Sequence, residues 1–299
     1  MFTEQRLVFI HCVSPVHMGS GTTLGIVDNP IQRERHTSHP LLAGSGIKGA
    51  VRHHFTGAGR DNDTINAVFG PEAIKAEGDS FAGAISFTDA QLLLFPVRSA
   101  RQAFIYITCP LALARARRLG VAGLPEVNVP DHTAWIASDR IGSGGAEPKL
   151  DLELFQFKAL QHNACKEVAT QLSAAFPDDP AWAFFREKVK TDLAILTDTD
   201  FDYFARNATL VEPHVAINNE TGAADGGKLF YTENLPPESV LVALLLASKT
   251  RRREGQALPA AEVAEFVTSN MPPLLQIGGD ATTGRGQVAL TFAQVGGQQ

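Results

Sequence analysis

The run Val240–Ala247, VLVALLLA, sets the first limit on the fold. Eight consecutive apolar residues fall well short of a membrane span, which needs about 20, and suit a buried strand. The run is the longest of its kind in 299 residues, a length that allows one large domain or two ordinary ones, either with a sizeable core. With 44% hydrophobic and 19% charged residues the chain reads as globular and not disordered. Lys and Arg number 26 against 32 Asp and Glu, a net charge of −6, which excludes a uniformly basic nucleic-acid coat but leaves room for a local basic groove. Cys12, Cys109 and Cys165 lie far apart and form no C-x-x-C. Neither a disulfide framework nor a zinc knuckle is expected, and a reducing cytoplasm is the natural compartment. The first residues lack a basic stretch followed by a long apolar core, so no signal peptide is expected.

Residues 5–14 read as a strand. Residues 15–44, rich in Gly, Pro, His and charge, are too many for a simple turn, and loops of that length are usually functional. Ser45 is placed as the N-cap of a helix running to about Phe55. Strands are expected at 82–88, 102–108 and 150–157, with helices at 111–119, near 158–172 and near 181–196, and a loop-rich stretch at 120–145. Residues 209–217 and 229–234 read as strands around a turn, 239–247 as the buried strand, 259–271 as a helix, 278–286 as a glycine loop and 287–292 as a closing strand. Strands and helices mingle without regular βαβ spacing, which predicts an α+β fold, and no repeat of 20–50 residues is present.

Charge is uneven. Residues 1–60 hold six bases, three acids and six of the nine histidines; 98–118 hold five arginines (Arg98, Arg101, Arg115, Arg117, Arg118) and no acid; 177–202 hold seven acids and three bases. That pattern suggests one anion-facing surface and one solvated acidic surface, the latter a candidate protein–protein face. Two familiar motifs fail. Gly44–Gly49 matches G-x-G-x-x-G, but His39-Pro40 precedes it and no second strand follows in place. Residues 222–229 approach a P-loop, but Leu229 stands where a Mg²⁺-binding hydroxyl belongs and a strand-like stretch follows. The scattered histidines lack metal-ligand spacing.

Three glycine-rich elements remain: PVHMGSG at 15–21, GSGIKGAVR at 44–52 and GGDATTGRG at 278–286. Glycine lets backbone N–H groups approach phosphate. Gly19, Ser20 and Gly21, then Ser45, Lys48 and Arg52, then Gly284, Arg285 and Gly286 are the candidate residues for binding several phosphates in a row. Lys48 and Arg52 share a helix face near its positive end, and Arg285, between glycines, is free to reach outward. The alternative is that these glycines serve only tight turns.

The order PVHMGSG, GIVDNPIQRERHT, GSGIKGAVR, TGAADGGKLFYTENLP and GGDATTGRG resembles the RAMP superfamily, and within it the repeated backbone subunit of type III-B CRISPR effector complexes, over essentially the whole chain. The VDNPIQRERHT stretch is its specific part. The resemblance implies a single domain with an RRM-like or ferredoxin-like palm, a fingers insertion and a β-hairpin thumb at about 211–236. It also implies copies stacked along a guide (CRISPR) RNA, beside other subunits of the complex, each copy cutting complementary target RNA. An RRM-like sheet commonly presents a surface to single-stranded RNA, and a guide supplies sequence recognition by pairing. The alternative from the same family is a structural RNA-binding subunit that does not cut; a stand-alone nuclease acting on guide precursors is a third reading. No membrane partner is expected.

The family's catalytic aspartate falls on Asp28, where a carboxylate can help hold a divalent ion, Mg²⁺ or Mn²⁺, or orient an RNA 2′-OH toward the adjacent phosphate. Its structural alternative is an Asx-turn before Asn29-Pro30. His17 matches a second motif position and can serve as acid, base or phosphate donor; His36 and His39 are weaker candidates. Tyr231 and Glu233 stand where the family places an aromatic and an acidic residue linked to cleavage, and strand alternation puts both on one face, as a packing pair would also require.

Overall fold

Alternation along the first strand decides the architecture. Val8 and Ile10 enter one core while Leu7 and Phe9 enter another. The 240–247 run does the same, sending Leu241, Ala243 and Leu245 one way and Val240 and Val242 the other. A strand apolar on both sides must be covered on both sides, so these two strands lie at the centre of a sheet packed between helices.

The fold is known from a computed structural model that describes residues 1–71, 81–251 and 257–296, with backbone alone at 225–228. In chain order the elements are β1 (Glu4–Cys12), β2 (Leu41–Leu42), α1 (Gly44–Gly57), α2 (Asn62–Phe69), β3 (Ile85–Phe87), β4 (Ala90–Val97), β5 (Ile105–Thr108), α3 (Pro110–Arg118), β6 (Thr133–Ile136), β7 (Lys149–Leu152) and β8 (Phe155–Gln161). They continue through α4 (Asn163–Ser173), α5 (Ala183–Thr191), β9 (Leu193–Ile195), α6 (Asp198–Asn207), β10 (Leu210–Ile217), β11 (Ala224–Asn234), β12 (Val240–Ala247), α7 (Ala260–Thr268), β13 (Leu275–Gln276) and β14 (Gln287–Gln294). Twelve strands make one mixed sheet in the order β13-β14-β1-β12-β4-β5-β9-β6-β8-β7, with β2 and β3 attached to β4 and β12. Within it, β14-β1-β12-β4 are antiparallel neighbours, α1 leads from β1 towards β4, and α7 leads from β12 towards β14. That is the split βαβ order of a ferredoxin-like sheet. β10 and β11 pair only with each other as strands.

α1 and α7 bury Ile47, Val51, Phe55, Val263 and Val267 on one face of the sheet. The other face is not open to RNA as an RRM-like sheet would be: Leu113, Val168, Leu172 and Val189 from α3, α4 and α5 cover Leu7, Phe9 and Val242 there. Apolar residues on that face require the cover.

Several local expectations shift. The helix expected at 181–196 is α5 followed by β9. Lys188 pairs with Asp192 at 2.7 Å where α5 ends, and the apolar Leu193–Ile195 is buried between β5 and β6. The stretch read as loop at 120–145 contains β6, and β4 and α6 were absent from the sequence reading. The acidic stretch 177–202 is largely used inside the molecule. Asp179 caps Ala181, Asp198 accepts from Leu111 N–H, Asp200 bonds Thr197, and Asp202 pairs with Arg206. Among the described residues no helix is long and apolar enough to cross a membrane, and all three cysteines are free and buried.

His11 on β1 is 2% exposed, contacts the rings of Phe176 and Trp182, and bonds Ala175 O at 2.8 Å through Nε2. Burial lowers its pKa to about 4 from 6.5. The folded state therefore binds fewer protons than the unfolded state between those values, so the contribution of His11 is present above pH 6.5 and lost as pH falls toward 4. The wild type is expected to lose about 3 kcal/mol more than His11→Phe over that window; urea denaturation of both proteins at pH 7 and pH 4 checks it, and equal losses would refute it.

Candidate functional site

The segment between β1 and α1 is a folded layer, because its backbone groups have defined partners. Val16 exchanges two hydrogen bonds of 2.9 Å with Leu235. Ser20 N–H donates to Pro30 O and Gln32 N–H to Met18 O. Further on, Arg33 bridges Pro40, and Glu34 N–H donates to His39 O at 2.9 Å. The layer then runs beside β11, on the edge that β10 leaves free: Asn29 N–H donates to Tyr231 O and Glu233 N–H to Asn29 O, both at 3.0 Å.

This pairing suspends the two foremost candidates from one strand edge. Asp28 Oδ2 accepts the Tyr231 N–H at 2.7 Å. The Asx-turn alternative is set aside, since the residue two places on is Pro30, which has no N–H to give. His17 Nδ1 lies 2.7 Å from Glu233 O. A carbonyl only accepts, so Nδ1 carries the proton and Nε2 is left for other chemistry. The two anchor residues are separated by about 7 Å along the strand, a span that suits one phosphodiester unit. The His17 ring lies beside two glycines: a Cβ at Gly19 would stand 2.8 Å from Nε2, and one at Gly279 would stand 3.4 Å from Cδ2.

Glu233 and Tyr231 play different parts from those expected. The Glu233 carboxylate is buried, with Oε1 taken by Arg33 and by Thr209 Oγ1 at 2.7 Å, and Oε2 taken by Ile31 N–H at 3.1 Å. Both oxygens are committed to the fold, so it is not a free acid or base. Tyr231 acts through its backbone, and its ring is exposed. Sequence reasoning passed over Arg33 and Thr209; the Arg-Glu pair in QRERHT was visible, but its partners are about 200 residues away.

The three glycine elements converge on His17 and Met18. Gly279 N–H donates to His17 O, and Gly286 N–H to Pro15 O, both at 2.8 Å. A Cβ at Gly286 (φ +81°) would run into Ile277 O, and one at Gly46 would lie 3.0 Å from the Met18 thioether. Close approach thus requires these glycines, of backbone to backbone at Gly286 and of the Met18 side chain to α1 at Gly46. Gly19 pairs with Ile31, Ser20 is exposed beside Pro30, and Gly21 and Gly284 are exposed with open space around them. Ser45 is exposed in the first turn of α1 and is not the cap. The cap is Ala43, and Gly44 N–H is taken by Asp89 Oδ1 at 2.8 Å. Lys48 is half-buried and has no acid partner among the described residues; burial, then the charge of Arg52, lower its pKa. Arg52 turns inward to Gly70 O and Asn66 Oδ1, and Arg285 pairs with Glu212 on β10 instead of reaching outward. Both are drawn by acceptors too far along the chain for a local reading. Of the other arginines, Arg115 is buried against Glu34, Arg117 donates to Pro125 O, and Arg98 pairs with Glu153, so they do not line one groove.

The expected hairpin is present as β10 and β11, but its tip is shorter. Asn218 closes the turn by accepting from Glu220 N–H through its side chain and donating its own N–H to Ala223 O, so strand pairing resumes at Ala224. One face carries Val211, Pro213, Val215 and Ile217 opposite Leu229 and Tyr231, all exposed. Among the described residues no three His, Cys, Asp or Glu side chains gather to hold a metal.

The sequence matches the profile of the RAMP superfamily over residues 9–289. The CRISPR system Cmr endoribonuclease Cmr4 of Pyrococcus furiosus is 35% identical over 296 residues, covering 97% of this chain and 96% of that one. The crystal structure of oligomeric Cmr4 from Pyrococcus furiosus superposes with a TM-score of 0.72 at 28% identity, over 99% of this chain and 100% of the other. A chain in the cryo-EM structure of the type III-B Cmr-beta complex bound to cognate target RNA shares the fold at 18% identity, with a TM-score of 0.72 over 97% and 98% of the two chains.

One buried pair fixes this layer to the rest of the molecule. Arg115 on α3 donates to Glu34 Oε1 at 3.2 Å and Oε2 at 3.0 Å, and both side chains are buried. Glu34→Ala leaves the guanidinium uncompensated and is expected to cost about 3–5 kcal/mol of stability. Urea denaturation measures it; a loss below about 1 kcal/mol would mean that the pair behaves as an exposed one.

Proposed function

The chain belongs to the RAMP superfamily, and from that premise we propose that it is the repeated backbone subunit of a type III CRISPR ribonucleoprotein, holding guide RNA along a helical filament and cutting complementary target RNA at regular intervals. The observation that carries the cutting is the suspension of Asp28 and His17 from consecutive anchor points on one edge of β11, each with an atom left for substrate.

Asp28 Oδ1 accepts the hydrogen bond of a target 2′-OH and takes its proton as the 2′-oxygen attacks the adjacent phosphorus. The new 2′-O–P bond replaces the P–O5′ bond, leaving a 2′,3′-cyclic phosphate. His17 Nε2, in the cationic ring, gives the proton that the departing 5′-oxygen needs. The Nδ1 bond to Glu233 O fixes the direction of the ring. Guide binding falls to Lys48 and to the exposed backbone around Ser20, Gly21, Ser45 and Gly284. The apolar face of the hairpin lies against bases, displacing one nucleotide per copy, so cuts are spaced by copies and not by sequence. Neighbouring copies and the other subunits of the complex are the protein partners, and a reducing cytoplasm suits three free buried thiols.

Asp28→Ala is expected to leave guide and target binding unchanged and to lower target cleavage by about 10²–10⁴-fold; wild-type cleavage by the assembled mutant complex would remove the assignment. Lys48→Ala is expected to reduce the salt slope of guide affinity by about one unit, evenly across guide sequences. Arg52→Ala is expected to act on stability and leave that slope unchanged. Filter binding across a salt series separates the two.

A further inference from the structure

The foot of the hairpin is held by a single guanidinium. Arg33 Nη1 donates to Ser38 O at 2.7 Å and Ala205 O at 3.1 Å; Nη2 donates to Arg206 O at 3.2 Å, Thr209 Oγ1 at 3.4 Å and the Glu233 carboxylate. Ala205 and Arg206 are in the last turn of α6, whose unsatisfied carbonyls favour a cation. Arg33 therefore joins the loop layer, the end of α6 and the start of the hairpin at one point, and the side chain is mostly buried.

We propose that Arg33 is a positioning residue for RNA cleavage: through the Glu233 carboxylate it sets where the Glu233 carbonyl and the neighbouring backbone hold His17 and Asp28. The inference rests on the cleavage reading above. Its physical basis is that residue 233 is held at its side chain and at its backbone by the same loop layer. The carboxylate is fixed at both oxygens, the carbonyl accepts from His17, and the N–H donates to Asn29 O, the residue after Asp28. Release of the carboxylate frees the segment carrying both reactive side chains. Their orientation then becomes broad, while Ser45, Lys48 and Gly284, which belong to other segments in the guide-holding set, are left in place. A shift of about 1 Å in a catalytic group is enough to slow a reaction a hundredfold.

The test uses the assembled, guide-loaded complex and reads single-turnover cleavage at saturating target separately from target affinity. Arg33→Met and Glu233→Gln are each expected to slow cleavage at least tenfold, with affinity within about twofold of wild type, and the double variant to be no slower than the slower single one, since both break the same link. Arg33→Lys is expected to recover only part of the rate, because an ammonium lacks the planar fork. Thr209→Val removes one donor to Glu233 with little change of volume and is expected to slow cleavage severalfold; it decides the matter if Arg33→Met does not fold. Unchanged rates in Thr209→Val, or additive losses in the double variant, overturn the inference. Asp28→Ala runs alongside: if it is inactive while the Arg33 and Thr209 variants cut normally, positioning fails and the cleavage reading stands. If Asp28→Ala cuts normally, the cleavage reading itself has failed.

Discussion

Residue 233 spends every polar group it has on holding one segment against another. Its N–H, its carbonyl and both carboxylate oxygens are engaged, and their partners come from the loop layer and from the start of the hairpin. A buried carboxylate is tolerated only with such company. The free edge of β11 also has to be covered, since an unpaired strand edge invites the wrong partner. In this fold the cover is the loop that carries Asp28 and His17, so protecting an edge and placing the two proposed catalytic side chains are the same structural act. Removing the pairing would leave both side chains on a long, glycine-rich tether.

The sheet constrains where RNA can go. Helices on both faces of β1 and β12 leave no platform of the RRM type, although the strand order is ferredoxin-like. The proposed RNA contacts lie at the end of the sheet where the glycine elements meet and the hairpin leaves. There Gly278, Gly279 and Gly286 let the C-terminal loop pack against residues 15–18 at backbone distance, and Gly46 lets the Met18 thioether close on α1. The same site is tied back to the body of the protein by Glu34 and Arg115 and by Arg33 at the end of α6.

What could be read from the sequence was local. Strand character at 5–14, 209–217 and 239–247, the helix after residue 44 and the closing strand each rest on a pattern within a dozen residues. The resemblance carried the importance of the 15–44 segment, and it alone set Asp28 against the Asx-turn that Asn29-Pro30 suggested. What could not be read was the choice of long-range ionic partner. Arg285 might equally meet phosphate or acid until Glu212 is seen beside it; Arg52 turns to Gly70 and Asn66; Glu233 looks like a reactive acid until Arg33 and Thr209 occupy it. Short apolar strands such as Leu193–Ile195 were hidden because three residues show no period, and only the neighbours β5 and β6 make them strands.

The hairpin has a consequence for the life of the chain before assembly. Val215, Ile217 and Leu229 are 45%, 55% and 57% exposed, and they share a ribbon that projects from the sheet with no strand on either outer side near its tip. A newly made copy carries this water-averse ribbon into a crowded solvent before any nucleic acid or neighbour can cover it. An uncovered copy is thus the form of the chain with the most apolar ribbon in contact with water, and whatever covers Val215, Ile217 and Leu229 also protects its solubility.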